Sequence, residues 1–182
     1  MNNFNVNNVK FNVIDNLLND DDLNNIKNIM KQCPLHYSND VAEHNDGGSY
    51  WNYYFTHLFY EDDRPRSEYF DQIYNIFIPK FKQYGYVKSL LRIKLNFYPY
   101  TETLREHDQH IDDEFTHIGA VFSLNTCDGF TRLHDGTKID SIENRMLLFP
   151  AQTKHKLIYH TDVHKRYVIN FNFIGDKNYG NN

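Results

Sequence analysis

The residues of this sequence with the clearest chemical potential are His110, Asp112, His155 and Arg166, in that order along the chain. Two imidazoles and one carboxylate can hold Fe(II) from one side and leave other coordination positions open for further ligands. An arginine presents a planar fork of N–H groups that can hold a carboxylate through two hydrogen bonds. These four residues therefore predict a metal centre with a carboxylate-binding group close to it.

The His-x-Asp part of this pattern occurs three times, at residues 44–46, 110–112 and 160–162, so its context has to identify the metal-binding copy. The first copy lies in the polar run 38–48, whose Asn, Asp and Gly residues are typical of tight turns. The third copy is followed by a single later histidine, His164, with too little chain to bring a third ligand from a distant strand. These arguments favour the second copy.

The surroundings of the second copy suit a metal site. His110 and Asp112 precede a strand-like run, Phe115–Leu124, and residues two apart in an extended segment point to the same side. His155 follows an apolar run and a proline-marked turn. We therefore expect the three side chains to lie at strand ends, where they can reach one ion. His107 is the alternative ligand.

Two segments, Leu91–Tyr98 and Arg166–Phe173, alternate between two kinds of side chain, which predicts β-strands. Their apolar faces consist of Leu91, Ile93, Leu95 and Phe97 on the first segment and Tyr167, Ile169, Phe171 and Phe173 on the second. Their opposite faces carry Arg92, Lys94, Asn96 and Tyr98 on the first and Arg166, Val168, Asn170 and Asn172 on the second. These opposite faces meet either solvent or a shared ligand cavity.

The remaining periodicity predicts a short strand over Lys10–Ile14 and a helix that begins near Asp20 and ends before Pro34. A second helix is predicted from Ser67 to Phe81. Short strands and turns dominate the rest of the chain. This order is typical of a mainly β protein with supporting helices, a double-stranded β-helix (jelly roll, cupin-like) backed by two helices.

Composition narrows the possible functions. The chain has 182 residues, a formal net charge of −5 and a pI near 6.0, so broad attraction to nucleic-acid phosphates is not expected. No apolar stretch reaches the roughly 20 residues needed to span a bilayer, and the amino terminus lacks a secretory apolar region. Cys33 and Cys127 form no CxxC pair, which argues against a disulfide framework. A cytoplasmic location is therefore expected.

From Leu91 to Ile174 the chain resembles the prolyl-4-hydroxylase-like branch of the Fe(II)/2-oxoglutarate-dependent dioxygenases, especially small bacterial and phage-encoded members. The resemblance rests on an ordered set of motifs. They are Arg92-Ile93-Lys94-Leu95-Asn96-Phe97-Tyr98-Pro99, His107-Asp108-Gln109-His110-Ile111-Asp112, Phe122-Ser123-Leu124-Asn125, Asp128-Gly129-Phe130-Thr131, Asn144-Arg145, Phe149-Pro150, His155 and Arg166-Tyr167-Val168-Ile169-Asn170-Phe171. We expect one oxygenase domain over residues 1–182, in which 1–90 support a catalytic core at 91–174.

The resemblance implies a role for each residue that matches a motif. His110, Asp112 and His155 would bind Fe(II), and Arg166 would pair with the C5 carboxylate of 2-oxoglutarate. The co-substrate would also contact Tyr98 and Asn96. Two positions depart from the family pattern: Ser123 stands where many relatives have Tyr, and Val168 stands where relatives often have Ser or Thr.

The family reaction consumes 2-oxoglutarate and dioxygen, releases succinate and CO2, and hydroxylates a C–H bond. The resemblance thus implies a hydroxylase that acts on a prolyl or other residue of a protein. A carboxylate at Asp112 favours hydroxylation, because related halogenases lack it. Two alternatives remain open, a small-molecule oxygenase and a metal-binding jelly-roll domain without turnover. The sequence carries no prediction of oligomeric state.

Overall fold

The computed structural model describes residues 11–39, 50–82 and 87–175. Two helices and eleven strands follow one another in the order β1 (Asn12–Ile14), α1 (Asp20–Gln32), β2 (His36–Asn39), β3 (Tyr53–Glu61), β4 (Arg64–Pro65), α2 (Phe70–Phe81), β5 (Val87–Pro99), β6 (Ile118–Ser123), β7 (Phe130–Leu133), β8 (Lys138–Asp140), β9 (Arg145–Pro150), β10 (His155–Ile158) and β11 (Lys165–Gly175).

The strands form two antiparallel sheets. The larger sheet has the order β1-β9-β6-β11-β5-β3-β2, with β4 paired to β3, and the smaller sheet has the order β10-β7-β8. Strands adjacent in each sheet are therefore mostly distant in sequence, as in a jelly roll. The predicted fold class, a mainly β jelly roll with two supporting helices, is confirmed.

Both helices pack on one face of the larger sheet. The buried sides of α1 and α2 join a core with apolar residues of β5, β6, β9 and β11. Phe77 of α2 lies 4.7 Å from Phe171 and 4.9 Å from Phe122 between ring centroids, and Phe81 lies 5.1 Å from Phe173. One face of β11 is thus fixed against the helices, so its other face must point to the interior of the jelly roll.

The alternation predicted for Leu91–Tyr98 and Arg166–Phe173 holds with one local exception. Asn172 pairs with Arg92, whereas Phe173 pairs with Leu90, so Leu91 is the extra residue of a β-bulge. Leu90 therefore joins the core in place of Leu91. The prediction that Leu91 lies on the core face is wrong, because a bulge reverses the alternation beyond it.

Helix α1 begins at the predicted position, whereas helix α2 begins later than predicted. Helix α1 is capped by Asn19, whose side chain accepts a hydrogen bond from the N–H of Asp22 at 2.8 Å. Helix α2 begins at Phe70 instead of Ser67, because the Ser67 hydroxyl accepts from the N–H of Tyr69 and forms a turn before the helix. Within the described ranges, no helix has the length and apolar character needed to cross a membrane.

Asn144 joins the segment before α1 to the turn before β9. It has a positive φ of 63°, its Oδ1 accepts from the N–H of Leu18 at 2.9 Å, and its Nδ2 donates to the carbonyl oxygen of Leu18 at 2.8 Å. All of these atoms belong to buried residues. This side chain therefore satisfies two backbone groups that have left regular structure.

Replacing Asn144 by Ala should lower the free energy of unfolding by about 3 kcal/mol, because two buried backbone groups lose their partner. Chemical denaturation measures the change. Asn16→Ala is the matched control, since Asn16 also has a positive φ, of 53°, but is exposed, and it should cost about 1 kcal/mol. Equal losses in the two variants would contradict the role given to the side-chain hydrogen bonds.

Candidate metal centre

The segment that carries His110 and Asp112 is hydrogen-bonded to the strand that carries His155. The N–H of His110 and the N–H of His155 each donate to the other residue's carbonyl oxygen at 2.9 Å, and the N–H of Asp112 donates to the carbonyl oxygen of Ala151 at 3.0 Å. His110 and His155 form an isolated antiparallel bridge. Backbone pairing therefore brings two distant parts of the chain together at the predicted ligands.

The three predicted ligands form one cluster. One possible ligand atom from each of His110, Asp112 and His155 lies within 4.8 Å of the other two. Nε2 of His155 is 3.8 Å from Oδ1 of Asp112, and a ligand distance of about 2.1 Å allows one ion to contact both atoms. Across residues 11–39, 50–82 and 87–175, no other group of His, Cys, Asp or Glu side chains has this arrangement.

Both imidazoles are prepared for metal binding. Nδ1 of His155 lies 2.9 Å from the carbonyl oxygen of Thr153, so Nδ1 carries the proton and Nε2 keeps its lone pair for a metal. Burial and the neighbouring His155 lower the pKa of His110 to about 4. His110 is therefore neutral at physiological pH, which is the form of imidazole that binds a metal.

The carboxylate of Asp112 is held by Asn172. Nδ2 of Asn172 donates to Oδ2 of Asp112 at 3.0 Å and to Nε2 of His117 at 3.1 Å, while its Oδ1 accepts from Nε and Nη2 of Arg92 at 3.2 and 3.0 Å. Nδ1 of His117 lies 3.1 Å from the carbonyl oxygen of Phe115 and donates there, which leaves Nε2 as an acceptor. The amide of Asn172 thus has one consistent orientation. It holds Oδ2 of Asp112 in place, while Oδ1 of Asp112 faces His155.

Gly119 makes room for the same carboxylate. A Cβ at this position of β6 would lie 2.9 Å from Oδ2 of Asp112 and 3.2 Å from two ring atoms of Phe149. A side chain here would have to displace Asp112 or the aromatic ring. The missing side chain therefore allows the carboxylate of Asp112 to lie directly against the larger sheet.

Arg166 is a buried cation whose partners are all neutral. Its side chain is 1% exposed. Nη1 donates to the carbonyl oxygens of Ile158 at 3.2 Å and Phe130 at 3.4 Å, and Nε has no hydrogen-bond partner among the described residues. Burial lowers the pKa of Arg166, but a guanidinium stays protonated in proteins. A buried charge without a counter-charge raises the free energy of the folded state, so an anionic ligand that binds here would be stabilised.

One cavity connects Arg166 with the three clustered residues. It has a volume of about 170 Å³, and its wall includes His110, Asp112, His155 and Arg166. The predicted polar faces of both strands reach it, through Arg92, Lys94, Asn96 and Tyr98 of β5 and Arg166, Val168 and Asn170 of β11. Of the two alternatives for these faces, the structure therefore shows the shared cavity.

Further polar groups of the cavity wall can bind an anionic ligand. Burial raises the pKa of Tyr98, so its hydroxyl is a neutral donor. Asn96 is 2% exposed, and its Oδ1 has no partner in the described part of the chain. Thr131 of β7 contributes the hydroxyl group that Val168 lacks. Ser123 instead accepts a hydrogen bond from a neighbouring serine at 3.4 Å and lies outside the cavity lining.

The remaining histidine candidates lie elsewhere. Oδ1 of Asp162 accepts the N–H of Asp128 at 3.0 Å, so the third His-x-Asp copy stabilises the turn before β7. His107 is buried and packs its ring against Trp51 and Tyr159, with centroid distances of 5.2 and 4.8 Å. The first copy, at residues 44–46, lies outside the described residues.

Comparison with known proteins identifies the fold. No protein-family model matches the chain, and neither does any curated protein sequence. A prolyl hydroxylase from Trichoplax adhaerens, solved with a peptide of the oxygen degradation domain of hypoxia inducible factor, has a similar structure, with a TM-score of 0.65, 17% identity and coverage of 92% of this chain and 85% of that chain. A prolyl-4-hydroxylase from Pseudomonas putida gives a TM-score of 0.67, 12% identity and coverage of 93% and 95%.

A third similar structure has another activity. The epimerase SnoN of nogalamycin biosynthesis, described as non-heme and alpha-ketoglutarate dependent, gives a TM-score of 0.65, 10% identity and coverage of 91% of this chain and 78% of that chain. The resemblance inferred from the sequence is thus confirmed at the level of the fold. At these identities the substrate does not follow from the fold.

Replacing Asn172 by Leu should weaken Fe(II) binding by roughly 10- to 100-fold, because Asp112 loses the group that orients it. Anaerobic metal titration measures the affinity. Asn125→Leu is the matched control, since among the described residues the side chain of Asn125 bonds only backbone atoms, those of Tyr167, Lys165 and Thr126. A similar loss of metal affinity in both variants would show that general destabilisation is the cause.

Proposed function

We propose that this protein is an Fe(II)- and 2-oxoglutarate-dependent dioxygenase that hydroxylates a C–H bond. The observation that carries the proposal is the occurrence, in one cavity, of a two-histidine, one-carboxylate cluster and a buried guanidinium that has no acidic partner in the described part of the chain. The first feature suits Fe(II) with open coordination positions. The second suits the distal carboxylate of a 2-oxo acid.

His110, Asp112 and His155 would hold the metal. Bound Fe(II) would supply the reaction of dioxygen with 2-oxoglutarate that yields succinate, CO2 and a hydroxylated product. His110 is neutral and needs no prior loss of a proton, and the hydrogen bond from Nδ1 of His155 to Thr153 leaves Nε2 of His155 directed towards the metal position. Asn172 and Gly119 keep the carboxylate of Asp112 in place.

Arg166, Tyr98 and Asn96 would hold 2-oxoglutarate. Arg166 can donate two parallel hydrogen bonds to the C5 carboxylate, which would neutralise a buried charge. Tyr98 lies opposite Arg166 in the β5–β11 pairing and can donate its hydroxyl hydrogen. Thr131 adds a hydroxyl from the smaller sheet. The co-substrate would thus be held between two sheets that are fixed by backbone pairing.

The substrate class is less constrained by the fold. Similarity to a prolyl hydroxylase solved with a peptide supports a prolyl or other residue of a protein as the target. Similarity to an epimerase of nogalamycin biosynthesis supports a small molecule. Asp112 would occupy one coordination position of the metal, which would favour hydroxylation over halogenation.

The purified protein with Fe(II) and dioxygen should convert 2-oxoglutarate to succinate, and Arg166→Lys should raise the half-saturating concentration of 2-oxoglutarate by about 10- to 100-fold. The reason is that an ammonium group cannot reproduce the two-pronged contact of a guanidinium. Succinate is quantified by mass spectrometry at a series of 2-oxoglutarate concentrations.

His155→Ala serves as the control without a complete metal site and should release no succinate above the protein-free background. Succinate formation that is the same in the wild type and in His155→Ala would refute the proposed site. Metal and 2-oxoglutarate binding without succinate formation would instead favour the metal-binding domain without turnover.

A further inference from the structure

Lys94 is a second cation of the cavity wall that has no acidic partner among the described residues. Its Nζ lies 3.4 Å from the hydroxyl of Tyr54 and 5.5 Å from the centroid of that ring. No carboxylate of residues 11–39, 50–82 or 87–175 lies within 4.0 Å of Nζ. Lys94 is half-buried, so its charge is only partly compensated by water.

Lys94 lies well along the cavity from the proposed anchor of the co-substrate. Arg166 pairs with Tyr98, whereas Lys94 pairs with Asn170, and four residues of a strand span about 13 Å. Asn172, which holds the metal-binding Asp112, follows two residues beyond Asn170 on the same face of β11. Lys94 is therefore at the level of the metal ligands, on the side away from Arg166.

The charges in the cavity favour a further anion. Arg92, Lys94 and Arg166 line it, against the single carboxylate of Asp112. A divalent metal and a dianionic 2-oxoglutarate neutralise one another and leave the wall positive, which favours an anionic substrate. An adjacent groove is lined by five acids, Glu61, Asp62, Asp63 and Asp113 together with Asp112, which also lines the cavity. Arg92 lines both spaces and lies opposite Glu61 in the register of β3 and β5, so it faces the acids of the groove, whereas Lys94 lines the cavity and not the groove.

Asn170 adds a hydrogen-bonding group beside Lys94. Its Oδ1 is buried and has no partner among the described residues, although the residue lines the cavity. A buried amide oxygen of this kind needs a donor. A ligand that carries a carboxylate next to an N–H group would satisfy Lys94 and Asn170 together, and both features occur side by side in an acylated amino acid.

We propose that Lys94 and Asn170 form a substrate subsite that takes a carboxylate and its adjacent N–H group. The substrate would be an amino acid with an acylated amino group, either free or as the carboxyl-terminal residue of a peptide. This inference rests on the proposed oxygenase function, because it places that substrate next to the proposed metal. Lys94 binds the carboxylate, Asn170 accepts the N–H, and Tyr54 limits the movement of Lys94.

The test is calorimetric titration of the anaerobic Fe(II)–2-oxoglutarate complex, in which no turnover occurs. The probes are a set of N-acetylated amino acids that keep the amide N–H and the primary amides of the same compounds. We expect acids to bind the wild type at least about tenfold more tightly than their amides, because a hydrogen-bonded charge pair is lost in the amide. Lys94→Met should abolish this preference, and Lys94→Arg should retain it.

Two outcomes overturn the subsite: equal binding of acids and amides by the wild type, and an unchanged preference in Lys94→Met. Titration of 2-oxoglutarate itself tests whether Lys94 binds a carboxylate of the co-substrate instead of one of the substrate. Its affinity should agree within about threefold between the wild type and Lys94→Met, and a large loss would assign Lys94 to the co-substrate and also overturn the subsite.

Failure of the proposed function gives a different result. If the wild type binds Fe(II) but not 2-oxoglutarate, the oxygenase proposal fails. The comparison of acids with amides on the protein loaded with Fe(II) alone then still tests Lys94. The melting temperature of each variant shows whether substitution has changed folding instead of the subsite.

Discussion

The site depends on the burial of one positive charge, that of Arg166. Its guanidinium is almost fully enclosed between the two sheets and contacts only neutral groups, with Nε left without a partner among the described residues. Such a charge reduces the stability of the folded state unless an anion joins it. A carboxylate that binds there would therefore stabilise the protein as well as occupy the site. The rest of the cavity can be understood as the space that this anion and a metal would share.

Strand β11 connects this site to the core. One of its faces packs Phe171 and Phe173 against α2, and the other carries Arg166 and Asn172 into the interior. The residues that would hold the co-substrate and orient the metal ligand thus stand on a strand whose position is fixed by aromatic packing. Backbone bonds between His110 and His155 add the proposed metal ligands to the same rigid frame. A site built on paired strands can keep its geometry before any ligand arrives.

The clustering of His110, Asp112 and His155 could be predicted from the sequence. So could the polar faces of β5 and β11, because period-two alternation reports which residues share a face. The bulge at Leu91 could not, since an extra residue in one strand is visible only once its partner is known. For the same reason the contact between Asn172 and Asp112 could not be predicted, because the two residues are far apart in the chain and meet only in the folded structure. Gly119 lies within the predicted strand-like run Phe115–Leu124, and its importance follows only from the position of Asp112.

The most direct test of the account compares two 2-oxo acids in an anaerobic titration of the protein loaded with Fe(II), followed by visible charge-transfer absorption. 2-Oxoglutarate and 2-oxobutanoate share the metal-chelating end, but only 2-oxoglutarate carries a distal carboxylate for Arg166. If the buried guanidinium anchors the co-substrate, 2-oxoglutarate should bind about 100-fold more tightly, the usual effect of pairing a buried charge. Equal affinities, or no absorption change with either acid, would contradict the account.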